Sequence, residues 1–122
     1  MALKVLDTDE QLKELLSSDS DRLFILKLGA IWCAPCEQAQ PAFEALSLEA
    51  SAQNRNTTCV VINKTDDNES LFDEYKITKL PTFILFQHGE VKAKIPRPNP
   101  EELMKIMEPH LPRPALVLNE DF

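Results

Sequence analysis

The sequence predicts an α/β fold: a mixed central β-sheet with helices on both faces. Three observations predict it. Nearly continuous apolar runs at residues 23–28, 59–62 and 82–86 read as strands buried on both sides. Stretches with apolar residues at helical spacing separate those runs. Last, Val91, Ala93 and Ile95 alternate with Lys92 and Lys94, the pattern of a half-exposed strand near a sheet edge. Strands that alternate with helices and then end in a hairpin make a mixed sheet.

Each element has its own justification. Residues 3–6 form a short first strand, and Thr8 with Gln11 can close a capping box for a helix carrying Leu12, Leu15 and Leu16. The polar run 17–21 ends that helix. After the strand at 23–28 comes Trp32-Cys33-Ala34-Pro35-Cys36, followed by a helix whose apolar stripe is Ala39, Phe43, Leu46 and Ala50. The polar stretch 53–57 is a loop before the strand at Cys59. Leu71, Phe72 and Tyr75 suggest a short helix. Pro96, Pro98 and Pro100 interrupt the chain after the edge strand, and Leu103, Ile106, Met107 and Leu111 mark one final helix.

Two thiols separated by two residues at a strand-to-helix junction point to redox chemistry. There the first-turn N–H groups are unpaired and the helix dipole is positive, so a thiolate on Cys33 is favoured and its pKa is expected to fall. Pro35 suits the first helical turn, where no intrahelical hydrogen bond is forfeited. Cys33, at the helix start, is expected to be the more exposed nucleophile, and Cys36, one turn inward, the resolving thiol.

The 122 residues suffice for one core that buries about two thirds of the unfolded surface, without a disulfide framework. The formal net charge of −7 argues against bulk binding to nucleic acid or anionic membrane. No run approaches transmembrane length. Residues 1–6 lead directly into Asp7, Asp9 and Glu10 with no apolar signal region, so a cytoplasmic protein is expected. A monomer is expected.

The joint pattern resembles the thioredoxin family over most of the chain. Trp32 to Cys36 is similar to the family's W-C-x-P-C site, with Ala34 where glycine is usual, and Pro41 matches its kinking helix proline. Residues 75–83 resemble the segment carrying its cis-proline, here Pro81, and Gln87-His88-Gly89-Glu90 resembles its last hairpin turn. The resemblance implies a thioredoxin fold over residues 1–111 with a C-terminal extension at 112–122, read as a tail or packed strip, the alternative being a partner-docking tail. It also implies a thiol–disulfide oxidoreductase that reduces protein disulfides and is restored by a thioredoxin reductase or another thiol reductant. Leu80 would offer its backbone to an extended substrate strand, and Pro81 would block metal capture. Trp32, with Pro35, would supply substrate contact. No cofactor or metal is expected.

Several positions depart from the family pattern. Lys27 stands where a buried aspartate usually relays protons to the inner thiol. On its strand it alternates with Ile25 and Gly29, on the face that by resemblance points toward Cys36. There it would either stabilise thiolate as a cation or, neutralised by burial, serve as the base, unless its stem snorkels to water. Gly29 replaces a tryptophan and removes bulk beside the site. Pro96-Arg97-Pro98 replaces a glycine that the family presents to substrate, and Lys79 makes the groove more basic. These leave room for a more oxidising, client-restricted exchange enzyme, or for a docking subunit that uses the fold without turnover. C-x-x-C is also metal-ligand spacing, with Cys59, His88 or His110 as completing ligands. Against that, no second C-x-x-C exists, and Cys59 reads as a small core residue.

Overall fold

Residues Leu23–Gly29 form the central strand because every one of them is buried, including the lone polar residue Lys27. The computed structural model describes residues 3–114. Along the chain run β1 (Lys4–Leu6), α1 (Asp9–Ser17), β2 (Leu23–Gly29), α2 (Ala34–Ala52), β3 (Thr57–Asn63), α3 (Glu69–Glu74), β4 (Thr82–Gln87), β5 (Glu90–Pro96) and α4 (Leu103–Met107). The sheet order is β1-β3-β2-β4-β5. β3 lies parallel to β1 and β2, whereas β4 runs antiparallel to β2 and to β5, which makes the sheet mixed as expected.

The two-residue period of β2 divides the interior into two cores. Leu23 and Ile25 join Ala39, Phe43 and Leu46 of α2 and Leu103 and Met107 of α4. Phe24, Leu26 and Leu28 face the other way, into Leu12 of α1 and Leu71 and Phe72 of α3. Lys27 shares the parity of Ile25, so the strand delivers it to the α2 side, between Val61 of β3 and Phe83 of β4.

Local chemistry sets the ends of the elements. Thr8 caps α1 through the expected reciprocal box, its side chain accepting from the Gln11 N–H while Gln11 accepts from the Thr8 N–H. The β4–β5 hairpin turns through His88 and Gly89, both at positive φ (57° and 74°), the conformation of a two-residue type I′ turn. β5 is one of the two sheet edges, where charged Lys92 and Lys94 disfavour pairing with another strand. α2 continues through Pro41 as one helix although that residue can donate no hydrogen bond.

The single final helix expected from Leu103 to Leu111 is instead broken into pieces. α4 covers only Leu103–Met107, flanked by 3₁₀ turns at Pro100–Glu102 and Glu108–His110. Pro109 has no N–H to give to a carbonyl one turn back, so the α-helical ladder stops before it. Leu111 is nonetheless buried. Arg55 secures this end: it donates to the carbonyls of Leu111 and Pro112 and pairs with Glu108 at 2.8 Å. Of the extension expected at 112–122, residues 115–122 lie outside the described residues.

Candidate functional site

Cys33 and Cys36 meet at the start of α2, where their sulfurs form a disulfide with a Cα–Cα distance of 5.3 Å. Cys33 is the N-cap, in extended backbone (φ −103°, ψ 112°), and its sulfur accepts the Cys36 N–H at 3.2 Å. A cysteine thereby takes the place of the usual Ser, Thr or Asp cap. Its sulfur receives both an unpaired first-turn N–H and the positive end of the helix dipole. Pro35 lies in the first turn, as the sequence indicates.

Cys33 is the more exposed of the two, as expected, but by a small margin, because both are buried: Cys33 is 7% exposed and Cys36 3%. What separates them is the opening each one lines. Cys33 borders a groove of about 380 Å³ together with Trp32, Pro35, Leu80 and Arg97. Cys36 borders a different hollow, with Lys27, Gln40 and Asn63. Trp32 is 73% exposed and the neighbouring Ile31 84%, an apolar rim beside the disulfide that no part of the described chain covers.

The Leu80–Pro81 peptide bond is cis. Leu80 packs on Ala30, Cys33 and Cys36. Its carbonyl oxygen lies 3.8 Å from the Cys33 sulfur, and its N–H has no partner among the described residues. An extended peptide laid beside the sulfur would find that donor free.

Lys27 does not snorkel to water. It is 3% exposed, and its Nζ donates to the Cys36 carbonyl at 2.8 Å and to Gln40 Oε1. Burial pushes its pKa below the ordinary lysine value, and the negative charge of Glu44 pulls part of the way back. Gln40, one helical turn after Cys36, in turn donates to Glu44 at 3.2 Å. A chain of Cys36 carbonyl, lysine, amide and carboxylate therefore leads outward along α2. Gln40 was absent from the sequence expectations; its position four residues after Cys36, on the same helix face, was the available signal.

Gly29 lies beside the site, as expected, and the missing bulk has a use. Rather than leaving empty space, it lets Cys36 come close: a Cβ at this position would sit 2.9 Å from the Cys36 sulfur. Arg97 is another residue the sequence placed only as a departure. Its Nε donates to the Leu80 carbonyl at 2.9 Å.

The alternative metal ligands are not gathered here. Cys59 is buried in β3, where burial pushes its thiol up to about 12, against a smaller opposing effect of Ser47. It is therefore an inert core residue at neutral pH. His88 lies in the hairpin turn, 3.6 Å from Asp21, and His110 lies in the last 3₁₀ turn. Among the described residues no three His, Cys, Asp or Glu side chains are arranged to hold a metal ion.

The thioredoxin family profile matches residues 3–109. The chain belongs to the thioredoxin family. It is 34% identical over 101 residues to a peptide-N(4)-(N-acetyl-beta-glucosaminyl)asparagine amidase of Caenorhabditis briggsae, covering 82% of this chain and 16% of that enzyme. With thioredoxin domain-containing protein 8 of Rattus norvegicus it shares 36% identity over 79 residues, covering 65% of this chain and 58% of that protein. The chain thus spans less than two thirds of the length of both relatives. Among solved structures, Fasciola hepatica thioredoxin superposes with a TM-score of 0.77 at 27% identity, covering 88% of this chain and 99% of that one. The sheet order, the cis bond beside the disulfide and these similarities make the chain a thioredoxin-fold domain with a disulfide-capable cysteine pair.

Proposed function

We propose that the protein reduces protein disulfides by dithiol exchange, with Cys33 as attacking thiolate and Cys36 as resolving thiol. The observation that carries this reading is the disulfide at the α2 start beside the unpaired Leu80 N–H. In the reduced protein the Cys33 thiolate is stabilised by the Cys36 N–H and the helix dipole. It attacks one sulfur of a client disulfide; a mixed disulfide forms, and the client's other sulfur leaves as thiolate. Cys36 loses its proton and attacks the Cys33 sulfur. The client leaves fully reduced, two electrons richer, and the Cys33–Cys36 bond is restored.

Leu80 docks the client backbone, while Trp32, Pro35 and Pro81 shape its contact surface. A thioredoxin reductase or another thiol reductant regenerates the dithiol. In this reading the protein acts as a cytoplasmic monomer on disulfide-containing proteins, without a cofactor, nucleic acid or membrane. Lys27 is a positioning residue for the second step: held on the Cys36 carbonyl, it takes up the Cys36 proton when neutral or stabilises its thiolate when charged.

Lys27 also favours a second reading, a more oxidising exchange enzyme with few clients. A buried cation beside Cys36 stabilises the thiolate form and hence the reduced state, which makes the disulfide a stronger oxidant. NADPH-coupled reduction of a protein disulfide with a thioredoxin reductase, run beside a dithiothreitol-driven control, tests the primary reading. Turnover in both is expected. Turnover with dithiothreitol alone removes the reductase as donor, and turnover in neither turns the assignment to a docking subunit.

A further inference from the structure

Arg97 stands on the open side of the Cys33 sulfur, and the exchange chemistry makes no use of it. It follows β5 in left-handed backbone (φ 40°), fixed there as its N–H donates to the Pro81 carbonyl at 2.7 Å. Pro96 and Pro98 flank it and stiffen the loop. From this anchor the side chain reaches the groove wall, where its Nε donates to the Leu80 carbonyl. The same oxygen is the one near the Cys33 sulfur. The guanidinium is thus held by the carbonyl that lies beside the reacting sulfur.

A guanidinium has five N–H donors, and the bond to Leu80 uses one. The four on the terminal nitrogens have no acceptor among the described residues, and no carboxylate pairs with the charge. This is notable in a chain of net charge −7. Carboxylates are abundant on the molecule, yet the guanidinium beside the reacting disulfide is left unmatched. With Nε tied to Leu80, the two terminal nitrogens present an end-on fork whose spacing matches the two oxygens of a carboxylate.

We propose that Arg97 determines client specificity by receiving an acidic side chain that flanks the client's reactive cysteine. The inference rests on the disulfide-reductase reading above and adds a substrate class to it: disulfides in acidic segments. The bond exchange is unchanged; the arginine acts on docking and orientation of the segment that Leu80 holds.

Two cyclic peptides test it, each with one disulfide and differing only in Glu or Gln beside the attacked cysteine. Single-turnover reduction by the dithiol protein is measured at low and high salt, each rate divided by that with dithiothreitol to remove intrinsic differences. The wild type should favour the Glu peptide by about two- to fivefold at low salt, as for an exposed ion pair, and less at high salt. Arg97→Gln should lose the preference. Arg97→Gly should lose it too, and because glycine accepts the left-handed backbone this variant keeps the loop. An equal ratio in wild type and both variants overturns the specificity role while leaving the reductase reading intact. Reduction of neither peptide by the wild type overturns both.

Discussion

The two cysteines of one disulfide line two different pockets, and one cation lines each pocket. On the Cys33 side, Arg97 is exposed and reaches across a groove beside an uncovered tryptophan. On the Cys36 side, Lys27 is buried under α2 and held by a backbone carbonyl and an amide. The same charge has different consequences in the two places. Water and salt screen Arg97, so in the proposed reading it acts on client choice and hardly on the thiol energetics. Lys27 is desolvated, and its hydrogen bond ties it to the backbone of the residue that carries the inner thiol. In the proposed function, client choice and resolution then fall to two different pockets of one motif.

The largest expected effect is on the two thiols themselves. Cys33→Ser should abolish turnover by removing attack, and Cys36→Ser should abolish it by removing resolution, both to the uncatalysed rate in the coupled assay. Substantial turnover by either variant would break the division of roles.

Next comes the close approach at Gly29. Gly29→Ala forces the new Cβ against the Cys36 sulfur, inside any ordinary contact distance. The variant should lose about 1–3 kcal/mol of stability in denaturant titration, the usual range for overpacking. Its mixed disulfides should also persist longer, because the resolving sulfur is displaced. A variant as stable as wild type with unchanged lifetimes would show that the Cys36 side is looser than described.

Lys27 sharpens the comparison through pH. Burial lowers its folded pKa from the ordinary 10.5, so between the two values the unfolded chain binds more protons than the native one. Stability conferred at this site therefore climbs as pH rises through that window, while below it the full penalty of the buried charge persists. In the disulfide form neither Cys33 nor Cys36 titrates, so the stability of wild type minus that of Lys27→Met should rise from the folded pKa toward pH 10.5. A flat difference would place the lysine in water.

The smallest effect on the fold is expected at Trp32. Trp32→Ala should change stability by no more than about 0.5 kcal/mol, as for other exposed positions, while KM for a protein disulfide rises. An unchanged KM would remove the tryptophan from client contact.

Much of the site was legible in the sequence, because local rules and global fold agree there. The parity of β2 put Lys27 on one face with Ile25 and Gly29, which the family resemblance turned toward Cys36; the Thr8–Gln11 box opened α1, and the C-x-x-C fell where an apolar strand meets a helix. What the sequence hid depends on contacts between distant segments. Gly29 lies close to Cys36 only because β2 and α2 pack as they do. The Arg97 side chain finds Leu80 only once the chain folds back beside the cis bond, 17 residues away. The last helix was misjudged for a local reason: apolar spacing carried the pattern across Pro109, which ended the helix.

The central claim is that Cys33 attacks and Cys36 resolves, and mapping a trapped intermediate tests it most directly. Cys36→Ser, reduced and mixed with a protein disulfide, should accumulate a mixed disulfide that mass spectrometry places on Cys33, whereas Cys33→Ser should trap none. Mixed disulfides on Cys36 in the Cys33→Ser variant, with none in Cys36→Ser, would contradict the account.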